Sequence, residues 1–381
     1  MIKNFKNLKY KYKKYILTEY LHGDIIKLQT LPETFVEVMR IKMETSTLKD
    51  IADKLNLSVS TVSRAVNNKA YVKEETRKRV LEALEEYNYV PNEVARSLKL
   101  QSTKTIAVII PDICENIFGE IIKGIDTVVS PKGYSIIVAD TNENSENEKN
   151  YLEMFRQKRI DALVYATVDL SGLHIKKYLP NLITVFIDNI PNLANIDTVT
   201  IDNTLASKMA VEYLIEEGHR QIAAIIGSVK ETTGYARREG YLQTLKENFL
   251  EIKKELIQYG NYKEDDGFIC MERLIQNREE YPFTAVYVTS EKMTFGAIKA
   301  IKEYGLRMPE DISLVGFDVQ DKAQLINPSI TSIRQPEKLI GNKVGELLLK
   351  RLQEKKYQKN NAEQILLRPS IVVGQSVRKL F

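Results

Sequence analysis

Cysteine and histidine are scarce in this sequence and lie far apart. The two cysteines, Cys114 and Cys270, match no metal-binding or redox spacing, so we expect a reducing compartment and a structural role for both. The three histidines are scattered, and the short motifs typical of hydrolases, zinc proteases and nucleotide-binding proteins are missing. The sequence therefore predicts a protein that is not an enzyme and needs no metal or cofactor.

Long apolar runs are missing as well. Hydrophobic residues make up 43% of the 381 positions, but no run is long enough to cross a bilayer, so we expect a globular protein of the cytoplasm with two or three domains. The net charge is only +4, yet residues 1–44 carry 9 basic against 5 acidic residues, residues 45–105 carry 11 against 8, and the remainder carries 35 against 38. This placement of positive charge favours a nucleic-acid partner at the amino-terminal end.

Residues 47–67 have the pattern of two short amphipathic helices joined by a polar turn. Thr47 is placed to cap the first helix and Ser58 the second. The inward face of the first helix is apolar, with Leu48, Ile51, Ala52 and Leu55, and Val62 and Val66 face inward on the second. The outward face of the second helix carries short or polar groups that suit base edges and phosphates: Val59, Ser60, Ser63, Arg64 and Asn67. The pattern favours a DNA-reading helix-turn-helix, although a surface hairpin of two helices shares it.

The next segment supplies the rest of a small domain. Residues 74–87 predict a third helix whose inward residues Val80, Leu81, Leu84 and Tyr87 complete a three-helix core. Pro91 then ends this helix, and Asn92 can cap a short new one that presents Ala95 and Leu98 on one face.

The run from Leu48 to Leu98 resembles the lactose-repressor/galactose-repressor family of bacterial transcription regulators through Val62-Ser63-Arg64, Val66-Asn67, Thr76-Arg77 and Ala95-Arg96-Ser97-Leu98. The resemblance implies that residues 92–99 form a hinge helix on operator DNA and that paired Leu98 side chains wedge into the minor groove and kink it. A linker residue packed on its own domain is the alternative for Leu98. The DNA-binding residues we expect are Thr47, Leu48, Ser58, Val59, Ser60, Thr61, Ser63, Arg64, Asn67, Tyr71, Ala95, Leu98 and Lys99.

From Thr105 onward, short apolar runs alternate with helical patterns. This alternation predicts doubly wound parallel sheets covered by helices, and the length predicts two lobes with a cleft, as in periplasmic binding proteins. The runs expected to be buried strands are 106–110, 134–139, 162–165, 182–187, 222–226, 284–288 and 312–316. Ligands of such sheets bind at the carboxyl ends of the strands, which directs attention to the loops that follow them.

Those loops carry carboxylates, a guanidinium and aromatic rings that suit a sugar-like or nucleobase-like ligand. The family resemblance extends across them through markers such as Val315-Gly316-Phe317-Asp318. It implies that Asp188, Arg237 and Asp318 hydrogen-bond a small-molecule effector, that Tyr262 stacks on it, and that Ile117 and Phe118 line the same pocket. Ser290 stands where many relatives have asparagine, so the identity of the effector does not carry over.

Other roles for these residues are open at this point. Asp188 and Asp318 could cap helices, Arg237 could pair on the surface with Glu231 or Glu239, and Phe118 and Tyr262 could be ordinary packed aromatics.

The expected domains are a helix-turn-helix domain over 45–91, a hinge over 92–104 and a two-lobed effector-binding and dimerisation domain over 105–381. Lobe 1 should comprise about 105–202 and 335–364, and lobe 2 about 203–334 and 365–381. Residues 1–44 form an atypical extension, either a basic arm that contacts DNA or, as we favour, upstream sequence from an early initiator methionine.

The sequence thus predicts a homodimeric, effector-responsive repressor that binds a palindromic operator. Two alternatives are a regulator that answers to a phosphorylated carrier protein and, less favoured, a free-standing sugar-binding protein.

Overall fold

A computed structural model describes residues 47–66, 71–87, 89, 102–320, 327–354 and 361–380. The chain divides into two compact units, residues 1–96 and residues 97–381. The extension over 1–44, most of the hinge, and the predicted DNA contacts Asn67, Ala95, Leu98 and Lys99 lie outside the described residues.

The first unit contains three helices, α1 (Leu48–Leu55), α2 (Val59–Val66) and α3 (Glu74–Glu86). Thr47 caps α1 as predicted, because its hydroxyl accepts a hydrogen bond from the Asp50 amide at 3.3 Å while Asp50 accepts one from the Thr47 amide at 2.8 Å. Asn56 adopts a left-handed conformation (φ 53°) that ends α1. The Ser58 hydroxyl then accepts from the Thr61 amide at 3.1 Å, so the two helices meet at a short turn.

The core of this unit is small and apolar, with Ile51, Ala52, Val62, Ala65, Val80 and Ala83 buried. The prediction that Leu81 faces inward is wrong, because its side chain is 47% exposed. Val80, Ala83 and Leu84 follow the i, i+3, i+4 spacing of one helical face, and Leu81 lies one residue step, about 100°, away from Val80.

The second unit is built on two six-stranded sheets, and the predicted α/β class is confirmed. The strands are β1 (Thr105–Ile110), β2 (Ser135–Asp140), β3 (Ala162–Tyr165), β4 (Ile183–Ile187), β5 (Asp197–Ile201), β6 (Ile222–Ile226), β7 (Ile257–Tyr259), β8 (Ala285–Val288), β9 (Ser313–Phe317), β10 (Thr331–Arg334), β11 (Gln364–Leu367) and β12 (Ser370–Val372). The first sheet has the order β11-β5-β4-β3-β1-β2, and the second has β12-β10-β9-β8-β6-β7. Neighbouring strands run parallel except for β12, which is antiparallel to β10.

Helices cover these sheets, and their apolar faces pack on the strands to form the buried cores. They are α4 (Asn116–Val129), α5 (Ser145–Lys158), α6 (Leu173–Tyr178), α7 (Asn203–Glu216), α8 (Thr232–Glu247), α9 (Glu264–Gln276), α10 (Glu291–Glu303) and α11 (Glu337–Gln353). Helices α4 and α11 approach closely where Gly124 faces Gly341, since a Cβ on Gly341 would lie only 2.8 Å from the Gly124 Cα. No described helix is both long and apolar enough to span a bilayer.

The chain passes between the two sheets three times, after β5, after β10 and after β11. The last passage differs from the expected lobe boundary at 364, because Gln364–Leu367 pairs in register with Thr198–Ile201 of the first sheet. These backbone hydrogen bonds keep the whole of β11 in lobe 1, and the passage to lobe 2 lies between Leu367 and Ser370.

Candidate functional site

A cavity of about 370 Å³ lies between the two lobes at the carboxyl ends of their strands. Its volume suits a small organic molecule. The residues lining it include all seven predicted effector residues: Ile117, Phe118, Asp188, Arg237, Tyr262, Ser290 and Asp318. The structure therefore brings together side chains that are separated by up to about two hundred positions in the sequence.

Arg237 lies in the wall of the cavity and is only 5% exposed. Its Nε donates to Asn203 Oδ1 at 2.8 Å, its Nη1 donates to the Thr289 carbonyl at 2.8 Å, and its Cζ lies 3.7 Å from the centre of the Phe317 ring. The alternative of a surface ion pair is therefore wrong. Within the described part of the chain, Nη2 makes no hydrogen bond, which leaves that nitrogen for a molecule in the cavity.

Asp188 and Asp318 follow β4 and β9 directly, and both adopt a left-handed backbone (φ 58° and 55°). Asp318 accepts two hydrogen bonds from Gln335, from its amide at 2.9 Å and from its Nε2 at 2.6 Å. Within the described residues, no side chain donates a hydrogen bond to Asp188, whose carboxylate interacts with the Asn189 backbone amide. Burial raises the pKa of Asp318 to about 6 and also raises the pKa of Asp188, while the positive charge of Arg237 acts in the opposite direction on both.

The aromatic wall is formed by Tyr262 of lobe 2 and Phe118 of lobe 1. The Tyr262 ring packs closely against Gly234, where a Cβ would lie only 2.7 Å from the tyrosine hydroxyl oxygen. Burial raises the pKa of this tyrosine. Phe118 is buried and also packs in the core of lobe 1, so it is both a core residue and a cavity residue. Ser290 caps α10 by accepting from the Met293 amide at 3.3 Å.

Several polar residues of the cavity were not among the predicted site residues. Asn189 of lobe 1 donates to Glu231 Oε2 at 2.8 Å and accepts from the Thr232 hydroxyl at 3.2 Å. On another side of the cavity, Asn116 donates to Glu291 at 3.2 Å and Lys292 forms an ion pair with Asp112. These contacts bridge the lobes. Asn189 and Asp112 follow strands β4 and β1 in the sequence, whereas Asn116, Glu231, Glu291 and Lys292 lie at or just before the start of helices.

Two carboxyl groups in the cavity have pKa values that are raised to near neutral pH. Burial raises the pKa of Glu115 to about 8 despite the charge of Lys292, and burial raises the pKa of Glu231 to about 7 despite its hydrogen bond from Asn189. Neighbouring carboxylates, Asp188 and Glu143, add to both shifts. The cavity therefore contains acids that can release protons near neutral pH.

These shifts predict a pH dependence of stability. Because the folded pKa values of Glu115 and Glu231 exceed the ordinary value of 4.5, the folded state holds protons that the unfolded state has lost between about pH 5 and 8, and stability falls as the pH rises through this window. Melting temperatures of ligand-free protein at pH 6.5 and 8 should fall more steeply for the parent than for a Glu115→Gln, Glu231→Gln double variant. The control Glu303→Gln changes an exposed glutamate at the far end of α10 and should keep the parent's slope. Equal slopes in parent and double variant would contradict the assignment.

Glu148, Asp169 and His174 form a cluster whose ligand atoms are close enough together to hold a metal ion. However, Glu148 Oε2 already accepts from the Thr167 hydroxyl at 3.1 Å and from the Val168 amide at 2.6 Å, and Asp169 Oδ2 accepts from the His174 amide at 3.0 Å. The cluster thus shapes the loop that lines the cavity. Of the two cysteines, Cys270 is buried as expected of a structural residue, but Cys114 is exposed and the structural role predicted for it is wrong.

In the first unit, the predicted DNA contacts on α2 form an outward face. Val59 is 45% exposed, and Ser60 and Arg64 are exposed. The Ser58 hydroxyl lies 2.8 Å from those of both Ser60 and Thr61, which fixes the start of the helix. Tyr71 is 99% exposed and has a positive φ of 80°, a conformation that turns the chain ahead of α3. Thr47 is exposed at the start of α1, and Leu48 is half-buried.

A helix-turn-helix unit and a two-lobed parallel α/β unit together define the class of this protein as a DNA-binding regulator. Comparison with known families gives two matches, bacterial regulatory proteins of the lacI family over residues 47–92 and the periplasmic binding protein-like domain over residues 211–377.

Curated relatives cover most of the chain. The transcriptional repressor PurR of Histophilus somni is 34% identical over 337 residues, which are 88% of this chain and 100% of the relative. The PurR of Pasteurella multocida is 33% identical over 87% of this chain and 99% of its own length.

Among solved structures, the lac repressor dimer bound to operator and the anti-inducer ONPF superposes with a TM-score of 0.77 at 26% identity, covering 88% of this chain and all of that one. A complex of the regulator CelR with cellobiose gives a TM-score of 0.64 at 26% identity, with coverage of 87% and 99%. The chain belongs to the lacI family of bacterial regulatory proteins, as the sequence resemblance indicated, and the curated relatives are transcriptional repressors.

Proposed function

We propose that this repressor binds a sugar or sugar derivative in the cavity between its lobes and that this effector changes its affinity for operator DNA. The observation that carries the proposal is the arrangement of Arg237, Asp188 and Asp318 around one cavity beside the Tyr262 ring. A guanidinium nitrogen with no hydrogen bond to the described residues and two carboxylates supply directed donors and acceptors for several hydroxyls, and an aromatic face covers an apolar ring face.

The relatives support this class of ligand and suggest one rival. CelR was solved with cellobiose, whereas the name PurR suggests control by purines in those repressors. A nucleobase would also stack on Tyr262, so both ligand classes belong in one test.

A protein partner is a weaker candidate for the signal. A phosphorylated carrier protein is the alternative left open by the sequence, and the structurally similar CcpA of Lactococcus lactis is 28% identical to this chain. Ile117 and Phe118 nevertheless line the cavity, and Phe118 is buried. That placement favours a small molecule over a docked protein.

We propose further that the repressor acts as a homodimer on a palindromic site in the cytoplasm. Strand β2 forms an edge of the first sheet, and its Ile137 and Val138 side chains are partly exposed, as expected of a surface that a second copy covers. The lac repressor neighbour is a dimer on its operator. A two-fold axis would place two α2 helices in successive major grooves.

The test is the selection of bound fragments from random DNA by the purified protein, with and without members of a panel of sugars and nucleobases. We expect a palindromic sequence to be selected and one class of compound to shift its affinity. A compound that binds in the cavity also raises the melting temperature by mass action. Selection of no sequence at all would contradict the proposal of a specific operator. A shift in operator affinity caused only by nucleobases would contradict the proposal that the effector is a sugar.

The hinge proposal gives a separate prediction. Leu98→Ala should weaken operator binding by about tenfold or more and reduce DNA bending, because an apolar wedge offsets the cost of unstacking a base step. Gel-shift assays with permuted operator fragments measure both quantities, and ligand binding should stay at the parent level. Leu81→Ala is a suitable control, since it removes an exposed leucine from α3. An unchanged affinity and bend in Leu98→Ala would remove the wedge model.

A further inference from the structure

We infer that the effector carries a protonated amine, as an amino sugar does, and that this group binds on the acidic side of the cavity formed by Glu115, Glu143, Asp188 and Glu231. This inference rests on the proposed effector function and specifies the chemistry of the ligand. Lys292 acts on Glu115 and Arg237 acts on Asp188, but these cations do not neutralise all four side chains.

The acidic side of the cavity brings together residues of both lobes. Glu115, Glu143 and Asp188 come from the loops after β1, β2 and β4 of lobe 1, and Glu231 immediately precedes α8 of lobe 2. The negative charges of Asp188 and Glu143 contribute to the raised pKa of both Glu115 and Glu231. Like charges that interact in a partly buried site disfavour ionisation of the whole group.

The cations in the cavity do not balance this charge. Among the residues that the structure describes, six carboxylates line it and three cations do. Lys292 is paired with Asp112 and lies 3.7 Å from Glu115, and Lys230 is exposed. Arg237 acts on both Asp188 and Asp318, while its Nε and Nη1 are already used within lobe 2. Glu291, the remaining carboxylate, bonds to Asn116 and to the Gln320 amide.

In the ligand-free cavity, the missing charge is supplied by protons. The raised pKa values of Glu115, about 8, and Glu231, about 7, mean that both carboxyls are substantially protonated at neutral pH. A ligand ammonium would favour their ionised forms through charge-assisted hydrogen bonds, so binding would release protons to the solvent. A phosphate ester would add negative charge beside the same carboxylates, and its binding would be opposed.

The test uses matched compounds on one scaffold at a time. Glucose, galactose and ribose are each compared as the neutral sugar, the amino-deoxy sugar, its N-acetyl derivative and the phosphate ester, by thermal shift of the full chain. We expect one amino sugar to give the largest rise in melting temperature. Its N-acetyl derivative keeps the nitrogen without the charge and should bind at least about tenfold more weakly, as expected for loss of a charge-assisted hydrogen bond.

Calorimetry in phosphate and Tris buffers then measures proton exchange. Binding of the amino sugar should release protons at pH 7, and its affinity should rise by about tenfold from pH 6 to pH 8 as the carboxyls ionise. Glu231→Gln should weaken the amino sugar about tenfold and reduce proton release. The matched control Glu303→Gln should behave as the parent. Glu115→Gln provides a second variant from the other lobe, so failure of one variant to fold leaves the test intact.

The proposal is overturned if the neutral sugar or phosphate ester binds best, if N-acetylation does not weaken binding, or if no amino sugar binds. A neutral or phosphorylated compound that binds and shifts operator affinity would overturn the proposal that the effector carries an amine. The proposal that a small-molecule effector controls operator affinity would still hold. If no compound in this panel or among the nucleobases changes either melting temperature or operator affinity, both proposals fall.

Discussion

Arg351→Met should lower the free energy of unfolding by about 3–5 kcal/mol, the loss expected when one partner of a buried ion pair is removed. Arg351 is 2% exposed and binds Asp197 through two hydrogen bonds, from Nε at 2.8 Å and from Nη2 at 2.7 Å. Asp197 is fully buried. Methionine fills a similar volume but leaves this carboxylate with only part of its partners, and a buried charge without its counter-charge is costly.

The position of this pair in the fold adds to its effect. Asp197 begins β5, Arg351 lies near the end of α11, and the Arg351 Nη2 also donates to the Asn361 carbonyl at 2.7 Å. The Glu363 amide donates to Asp197 at 2.8 Å immediately before β11. The pair therefore joins three chain segments at one edge of lobe 1, and its loss should also loosen β11.

Denaturant unfolding followed by circular dichroism measures the change. The matched control is Lys350→Met, which removes the neighbouring and largely exposed cation that pairs with Glu363 at 2.6 Å, and it should cost no more than about 1 kcal/mol. A double variant, Asp197→Leu with Arg351→Met, should recover part of the loss because neither charge is then left alone. A single-variant loss no larger than that of the control would refute the prediction.

Arg237→Ala should abolish the response to the effector, with binding at least about a hundredfold weaker. The expectation follows from the loss of a buried charged donor facing the cavity, where each hydrogen bond to a charged group contributes about 1.5–3 kcal/mol. Removal of the guanidinium also takes away a positive charge that lowers the pKa of Asp188 and Asp318, and it leaves the Thr289 carbonyl without this donor. Arg237→Lys keeps the charge but not the planar set of donors, so we expect it to retain only part of the parent's effector binding.

Calorimetry measures effector binding, and gel shifts on the selected operator measure DNA binding in the absence of effector, which should persist. Arg238→Ala is the matched control, since it removes the adjacent arginine, whose contacts are with Tyr259 and Glu239 outside the cavity lining. Effector binding by Arg237→Ala that equals the parent would remove Arg237 from the site.

The carboxyl ends of the strands were predictable because each strand shows its own local apolar pattern. Asp188 and Asp318 directly follow such runs. Because the ligand sites of parallel sheets lie at the carboxyl ends of the strands, the position of both residues at the cavity could be predicted from the sequence. Tyr262 needed the family resemblance as well, because the preceding strand β7 has only three residues and carries little periodicity. Arg237 also needed it, because it lies within α8 and not directly after a strand.

Other parts depend on contacts that no local pattern reveals. The strand β5 begins with Asp197, a residue that argues against a buried strand until its partner Arg351, 154 positions later, is known. The edge strands β11 and β12 are short and largely exposed, so their hydrophobic pattern is weak. Glu115 and Glu231 were missed for the same kind of reason, because their unusual pKa values arise only when the two lobes meet.

The contacts between Asn189 and Glu231, between Asn116 and Glu291, and between Lys292 and Asp112 join the two lobes across the cavity. We expect these bridges to break when the lobes open to admit or release a ligand. We therefore expect the lifetime of the bound state, and with it the time for which the repressor registers a past exposure to its effector, to be set by the opening of the lobes as much as by the ligand's own contacts.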